Sequence, residues 1–237
     1  MIKQITNFVK ILLTMFLKDN YKEIKNNLPK HVKLLAISKT KPISDILDAY
    51  NAGQILFGEN KALEMRDKMN QLPEEIEWHF VGHLQTNKIK YISQKVSLIH
   101  SVDSFRLLAA IDKEASKVQR VIPSLLQFHI AKEETKFGFD FEEVKMMLNN
   151  EDFYKLKNIK IAGVMGMATF TDDFTLIRKE FSFLYKIFNE IKREYFKNDS
   201  NFCEISMGMS NDYQIAIEEG STIIRLGSSI FGERNYN

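Results

Sequence analysis

Cysteine is almost absent from this chain. Cys203 is the only one in 237 residues, so no disulfide can form within the chain and a small disulfide-stapled scaffold is excluded. That usage fits a reducing, cytoplasmic setting. Cys203 itself is expected to pack in the interior as a small apolar residue, the usual place for a free thiol. Long apolar runs are lacking too. The run ILLTMFL at 11–17 is seven residues, far short of the roughly 20 that a membrane span needs. It also lacks the small-residue cleavage site of a secretory leader. Charge of one sign is missing: 33 basic against 31 acidic residues leave a net +2. So even a balance argues against strong electrostatic attraction to nucleic acid. Proline and glycine number 4 and 10. Neither gathers with serine into a linker or a low-complexity tract, so nothing divides the chain into separate units.

What is present is an alternation. Short apolar runs stand at 32–38, 55–57, 77–81, 96–100, 124–130, 159–164, 202–206 and 222–226. Between them lie segments of helical period: Ile43, Ile46, Leu47 and Tyr50 before a capping Gly53; Phe174, Ile177, Phe181, Leu184, Tyr185, Phe188 and Ile191 on one face; and SNDYQIAIEEG, closed by Gly220. Strand followed by helix, repeated, predicts parallel strands joined by crossovers. Eight runs suit a closed (β/α)8 barrel, with an open doubly wound sheet as the competitor, since periodicity does not report closure. No GxGxxG follows the first run, which lowers the odds of a dinucleotide site. At the start, Ile2, Ile5, Phe8, Val9, Leu12, Leu13, Phe16 and Leu17 recur at helical spacing. They predict an amphipathic helical extension over 1–30, packed on the body of a single domain spanning 1–237.

In a barrel, reactive groups collect at the C-terminal ends of strands. Those ends carry Ser38, Lys39 and Thr40; Gly58, Glu59 and Asn60; Gly82 and His83; His100 and Ser101; Lys132 or, past a loop, Lys136 and Gly138; Met165 and Gly166; Ser206, Gly208 and Ser210; and Arg225, Gly227, Ser228 and Ser229. The last two sets, SMGMSND and RLGSSIFG, are small and rich in donors, the composition of an anion cradle. Arg225 on a central strand must find a partner, either a structural carboxylate or a ligand. Lys39 ends an apolar strand, where partial desolvation makes an amine a better nucleophile. A lysine, a phosphate cradle and an arginine at one mouth match what pyridoxal 5′-phosphate (PLP) requires. His79 and His83 share one face of a strand without a carboxylate at ligand spacing, and no metal site is expected.

LLAISKTKP, FGEN, WHFVGHLQTNK, the ETKFG loop, SMGMSNDYQIAIEEGST and IIRLGSSIFGER stand in the order and near the spacing found in the pyridoxal phosphate homeostasis protein family. The chain resembles that family over residues 30 to 235. The family is similar to the N-terminal barrel domain of alanine racemase. The resemblance implies a single (β/α)8 TIM barrel with an extra N-terminal helix and without the racemase's second domain. It implies PLP as cofactor, held as a Schiff base on Lys39. Asn60 and Met165 would lie near it, and Ser206, Gly208, Gly227 and Ser228 around the phosphate. Arg225 would face the pyridine nitrogen and keep it unprotonated. Lys136 matches a further lysine near the cofactor. Lys61 and His83 depart from the residues usual at their positions. The implied role is intracellular PLP (vitamin B6) homeostasis, with PLP-dependent apo-enzymes as partners and no robust catalysis. A PLP-dependent racemase or lyase for a small amino acid is the alternative. A closed barrel has no free sheet edge, so a monomer is expected.

Overall fold

In the computed structural model, which describes residues 19–132 and 137–232, eight parallel strands close into a barrel in sequence order. They are β1 (Lys33–Ile37), β2 (Leu56–Glu59), β3 (Glu77–Phe80), β4 (Val96–Val102), β5 (Ile122–Phe128), β6 (Ile159–Gly166), β7 (Glu204–Ser206) and β8 (Ile223–Leu226). Each coincides with one of the eight apolar runs. Closure is made by β8 against β1, with Arg225 opposite Leu35. The open-sheet competitor is therefore excluded.

Alternation along each strand separates two apolar layers. On β1, Leu34 and Ala36 face outward into the large core under the helices, while Leu35 faces the lumen. On β8, Ile224 and Leu226 face outward and Ile223 inward. The lumen layer is small: Leu35, Leu98, Leu125, Ala162, Met165 and Ile223. That plug fills the middle of the barrel and leaves its two mouths to polar groups.

The outer ring holds α1 (helical over 19–27), α2 (Ile43–Asn51), α3 (Ala62–Met69), a 3-10 turn at Thr86–Tyr91, α4 (Phe105–Lys117), α5 (Phe141–Leu148), α6 (Glu151–Tyr154), α7 (Phe174–Tyr195), α8 (Tyr213–Glu218) and α9 (Ser228–Phe231). Buried Tyr21 anchors α1 in the main core, with Ile24 and Leu28 packed beside it. The rest of the expected extension, Ile2 to Leu17, lies outside the described residues. Lys136 lies outside them as well. Gly53 follows α2 at φ 103°, where a glycine ends a helix without a Cβ clash.

Three expectations are corrected. Phe174 and Tyr185 do not belong to the buried face of α7; they are exposed, and Glu180 is buried in their stead. Glu180 is tolerated there because its carboxylate accepts the Thr169 N–H and hydroxyl, both at 2.7 Å. Cys203 is exposed rather than interior, because it immediately precedes β7 on the rim of the barrel. The third segment after a strand is a 3-10 turn in place of a full helix.

Candidate functional site

The C-terminal mouth is built by the loops after β1, β2, β7 and β8. Lys39 is half-buried in a tight turn after β1, where the Lys41 N–H donates to the Ser38 carbonyl at 3.0 Å. Thr40 sits in the left-handed region at φ 64°, a costly place for a β-branched residue. Its backbone N–H donates to Glu64 Oε1 at 2.6 Å. Ser38 donates its hydroxyl to Glu59 Oε1 at 2.6 Å. The Lys68 ammonium ties these groups together, reaching Glu59 at 2.7 Å, Glu64 at 2.8 Å and the Ser38 carbonyl at 2.8 Å. Both neighbours of Lys39 are thus clamped by one buried charge network. Lys41 turns outward instead, and its ammonium donates to the Phe231 carbonyl at 2.9 Å. Of the two lysines of SKTKP, Lys41 holds α9 to the β1 loop and Lys39 stands at the mouth.

Asn60 follows β2. Its backbone is crossed closely by Gly82, where a Cβ would meet the Asn60 carbonyl oxygen at 2.3 Å. That glycine lets the ends of β2 and β3 converge. Lys61 is exposed and opens α3. His83 is exposed, 3.3 Å from Asp103, with its ring stacked on Phe137 at 4.6 Å.

Inside the barrel, Arg225 is 5% exposed and has no carboxylate within ion-pair distance among the described residues. One of its N–H groups donates to Ser206 Oγ at 2.7 Å and another to the Gly166 carbonyl at 3.0 Å. Burial lowers the guanidinium to about 10, against the pull of Asp212, so it stays charged at neutral pH. Ser206 Oγ also meets His100 Nδ1 at 2.9 Å, and His100 Nε2 meets His79 Nδ1 at 2.9 Å. Burial drives both imidazoles down: His79 to about 3, and His100 well below its ordinary value, helped by His79 and Arg225. Both rings are neutral at pH 7.

Around the last two strands, Gly208 is held at φ 96°, where a Cβ would meet Ala216 at 2.6 Å. The Ser210 and Ser228 hydroxyls meet at 3.2 Å, joining the β7 and β8 loops. Ser228 and Ser229 open α9, and the first amides of a helix have no intrahelical acceptor. Gly227 differs from Gly208. A Cβ there would lie 3.5 Å or more from Ile37, ordinary contact. Packing does not demand a glycine at that point.

These features suit PLP. An arginine with no carboxylate in ion-pair distance among the described residues, an amine on a clamped turn and two joined Gly/Ser loops converge at one end of the lumen, with Met165 of the lumen plug below. Ser206 is turned toward Arg225 and His100, fully buried, so its hydroxyl serves the arginine side of the site. The sequence places His100 at a strand end but does not show that it pairs with His79. Alternation on β3 and β4 was the available signal, since it turns both rings into the lumen. The Glu59–Lys68 pair was also missed, although Glu59 ends a strand and a buried carboxylate there calls for a cation.

The family model for the N-terminal domain of alanine racemase matches residues 16–235. A pyridoxal phosphate homeostasis protein of Aquifex aeolicus is 40% identical over 205 residues, covering 86% of this chain and 88% of the relative. Its counterpart in Synechocystis sp. is 36% identical over 93% of this chain and 100% of the relative. PipY of Synechococcus elongatus, solved with PLP bound, superposes with a TM-score of 0.82 at 31% identity, covering 91% of this chain and 100% of PipY. Alanine racemase of Bartonella henselae shares the fold at TM-score 0.70 and 13% identity, over 93% of this chain and 63% of the racemase. Motifs, barrel and relatives agree, and the chain belongs to the pyridoxal phosphate homeostasis protein family.

Proposed function

We propose that this protein binds pyridoxal 5′-phosphate at the C-terminal mouth of its barrel and serves intracellular PLP homeostasis. The observation that carries the reading is Arg225, a buried cation that finds a serine and a carbonyl but, among the described residues, no carboxylate within ion-pair distance. Such a charge is costly unless a ligand completes its coordination. PLP supplies a reactive aldehyde, a phosphate and a pyridine nitrogen. Lys39 would hold the aldehyde covalently through its amine. Gly208, Gly227 and Ser228 would receive the phosphate, with backbone amides and hydroxyls as donors. Arg225 would donate to the ring nitrogen, and its fixed charge would keep a proton off that atom. Asn60 and Met165 would bound the ring. Lys136 is proposed as a further amine near the cofactor.

The single barrel holds the cofactor and passes it to PLP-dependent apo-enzymes, as a monomer in the cytoplasm. Among the described residues no helix is long and apolar enough to cross a membrane. The test is an absorbance spectrum with added PLP, followed by borohydride reduction and peptide mass mapping, on wild type and Lys39→Ala. A trapped PLP mass on Lys39, absent in the variant, is expected. Its appearance on another lysine would move the attachment point, and no band in either protein would overturn the reading. Turnover of alanine or serine by the loaded protein would replace the carrier role by an enzymatic one.

A further inference from the structure

We propose that the opposite, N-terminal mouth of the barrel is a binding site for a small organic carboxylate, held by the His79 Nε2–H and the Lys33 ammonium. A cavity of about 520 Å³ opens there, within the range of small-molecule sites. Lys25, Lys33, Gln54, His79, Glu77 and Glu204 are on its polar side, and Leu98 and Ala162 on its apolar side, so two cations and two carboxylates border it.

The hydrogens of the lumen chain decide what this cavity needs. Arg225 can only donate, so Ser206 Oγ is its acceptor. Ser206 is fully buried, and among the described residues the one remaining atom in reach of its hydroxyl proton is His100 Nδ1. Ser206 therefore donates to His100. A neutral His100 with an accepting Nδ1 carries its proton on Nε2, which donates to His79 Nδ1. A neutral His79 then carries its proton on Nε2. The reverse orientation would leave the Ser206 hydroxyl without an acceptor in the interior. Every donor points one way, from the Arg225 cation to the far mouth, and the last has no acceptor among the described residues. His79 is 5% exposed and lines the cavity. An N–H without a protein acceptor, on a nearly buried ring that lines a cavity, is a donor available to a ligand there.

Lys33 makes that acceptor an anion. Its charge is felt at His79. The ammonium has three donors and is ion-paired with Glu204 Oε1, while Glu204 Oε2 accepts the Thr222 hydroxyl at 2.7 Å. Glu204 is thereby occupied on both oxygens, and Lys33 keeps donors for a ligand. One N–H and one ammonium match the two oxygens of a carboxylate. The Glu204 charge beside them disfavours a dianion such as phosphate. The apolar side takes a short aliphatic chain.

The site and its test do not depend on the cofactor. With the full chain isotope-labelled, His79 ring resonances are followed during titration with propionate and with propionamide, an uncharged molecule of the same shape. Propionate is expected to shift them saturably and propionamide is not. Lys33→Met is expected to weaken propionate at least tenfold, about 1.4 kcal/mol, and Lys33→Arg to restore it. Should Lys33→Met fail to fold, Lys33→Gln combined with Glu204→Gln takes its place. No shift, equal shifts by the two probes, or full affinity without the Lys33 charge would each overturn the site.

Discussion

Two buried polar networks meet at the C-terminal mouth, and they are built on opposite plans. Outside the barrel wall, Glu59, Lys68, Glu64, Ser38 and Thr40 form a closed cluster in which one ammonium is shared by two carboxylates. Inside, Arg225, Ser206, His100 and His79 form an open line with one cation and, among the described residues, no carboxylate within ion-pair distance. In the closed cluster each charge touches an opposite one, so its role is to fix the turn that presents Lys39. The open line leaves charge and donors unmatched at both ends, as a ligand-binding device must. A buried charge thus marks rigidity when it is compensated and a ligand when it is not.

Breaking the closed cluster should have the largest effect. Lys68→Met leaves the Glu59 carboxyl, 0% exposed and with Oε2 already lacking a partner among the described residues, without its cation. Removing one member of a buried pair costs about 3 to 5 kcal/mol, readable as a lower urea midpoint. Adding Glu59→Gln to Lys68→Met should recover much of it. Equal stability of wild type and Lys68→Met would show that the cluster is not held by charge.

Acid sharpens the contrast, because the two networks respond with opposite sign. His79 titrates near 3 when folded and near 6.5 as an ordinary histidine. Between those values the unfolded chain binds more protons, so stability falls as pH falls. Lowering pH from 6.5 to 4.5 should cost about 2 kcal/mol through this ring alone, since the slope is half of about 1.4 kcal/mol per unit at pH 6.5 and approaches the full value below it. Glu59 is held above the ordinary carboxyl value by burial, so its contribution is present at low pH and is lost as pH rises through the folded value. Urea melts at pH 4.5 and 7 should show a smaller acid loss for His79→Gln than for wild type. Glu59→Gln should leave the His79 loss in place. An unchanged acid loss in His79→Gln would mean that the ring is not held neutral.

The two serines extend the comparison at smaller scale. Ser206→Ala strips one of two partners from Arg225 and from His100, both buried, and should cost about 2 to 3 kcal/mol. Ser38→Ala removes one donor from Glu59, which keeps Lys68, and should cost about 1 kcal/mol. If the two variants melt together, the open line is no more exposed to loss than the closed cluster.

The fold was legible because its signals are local. Eight short apolar runs became eight strands, and Gly53 and Gly220 ended helices where their spacing required. Lys39, Arg225 and the Gly/Ser loops were legible for a related reason: in a barrel, position at a strand end is already position at the mouth. The two networks were not legible. Lys68 meets Glu59 only because one helical face of α3 leans over the end of β2. His79 meets His100 only because both point inward at one depth, and depth depends on strand stagger. Phe174 and Tyr185 fit the helical period of α7, but the stripe that touches the barrel is narrower than the apolar stripe in the sequence. Cys203 shows the limit of residue preference: a free thiol favours the interior, and one at a strand's entry is placed by the chain.

The smallest effect on stability should come from Gly227→Ala, and for that reason it separates packing from binding. Gly208 offers the control. Its φ of 96° and the 2.6 Å approach to Ala216 make any side chain there strained, so Gly208→Ala should unfold at lower urea whether or not a ligand is present. At Gly227 the added methyl would meet Ile37 at no less than 3.5 Å, and the free protein should change by less than about 0.5 kcal/mol. The methyl would nevertheless be added at one of the residues proposed to receive the phosphate. Gly227→Ala should therefore keep the melting curve of the free protein and lose the extra stability that PLP confers, since a ligand stabilises only in proportion to its affinity. A variant that melts like wild type both with and without PLP would move the phosphate away from the β8 loop and leave Gly227 an ordinary turn.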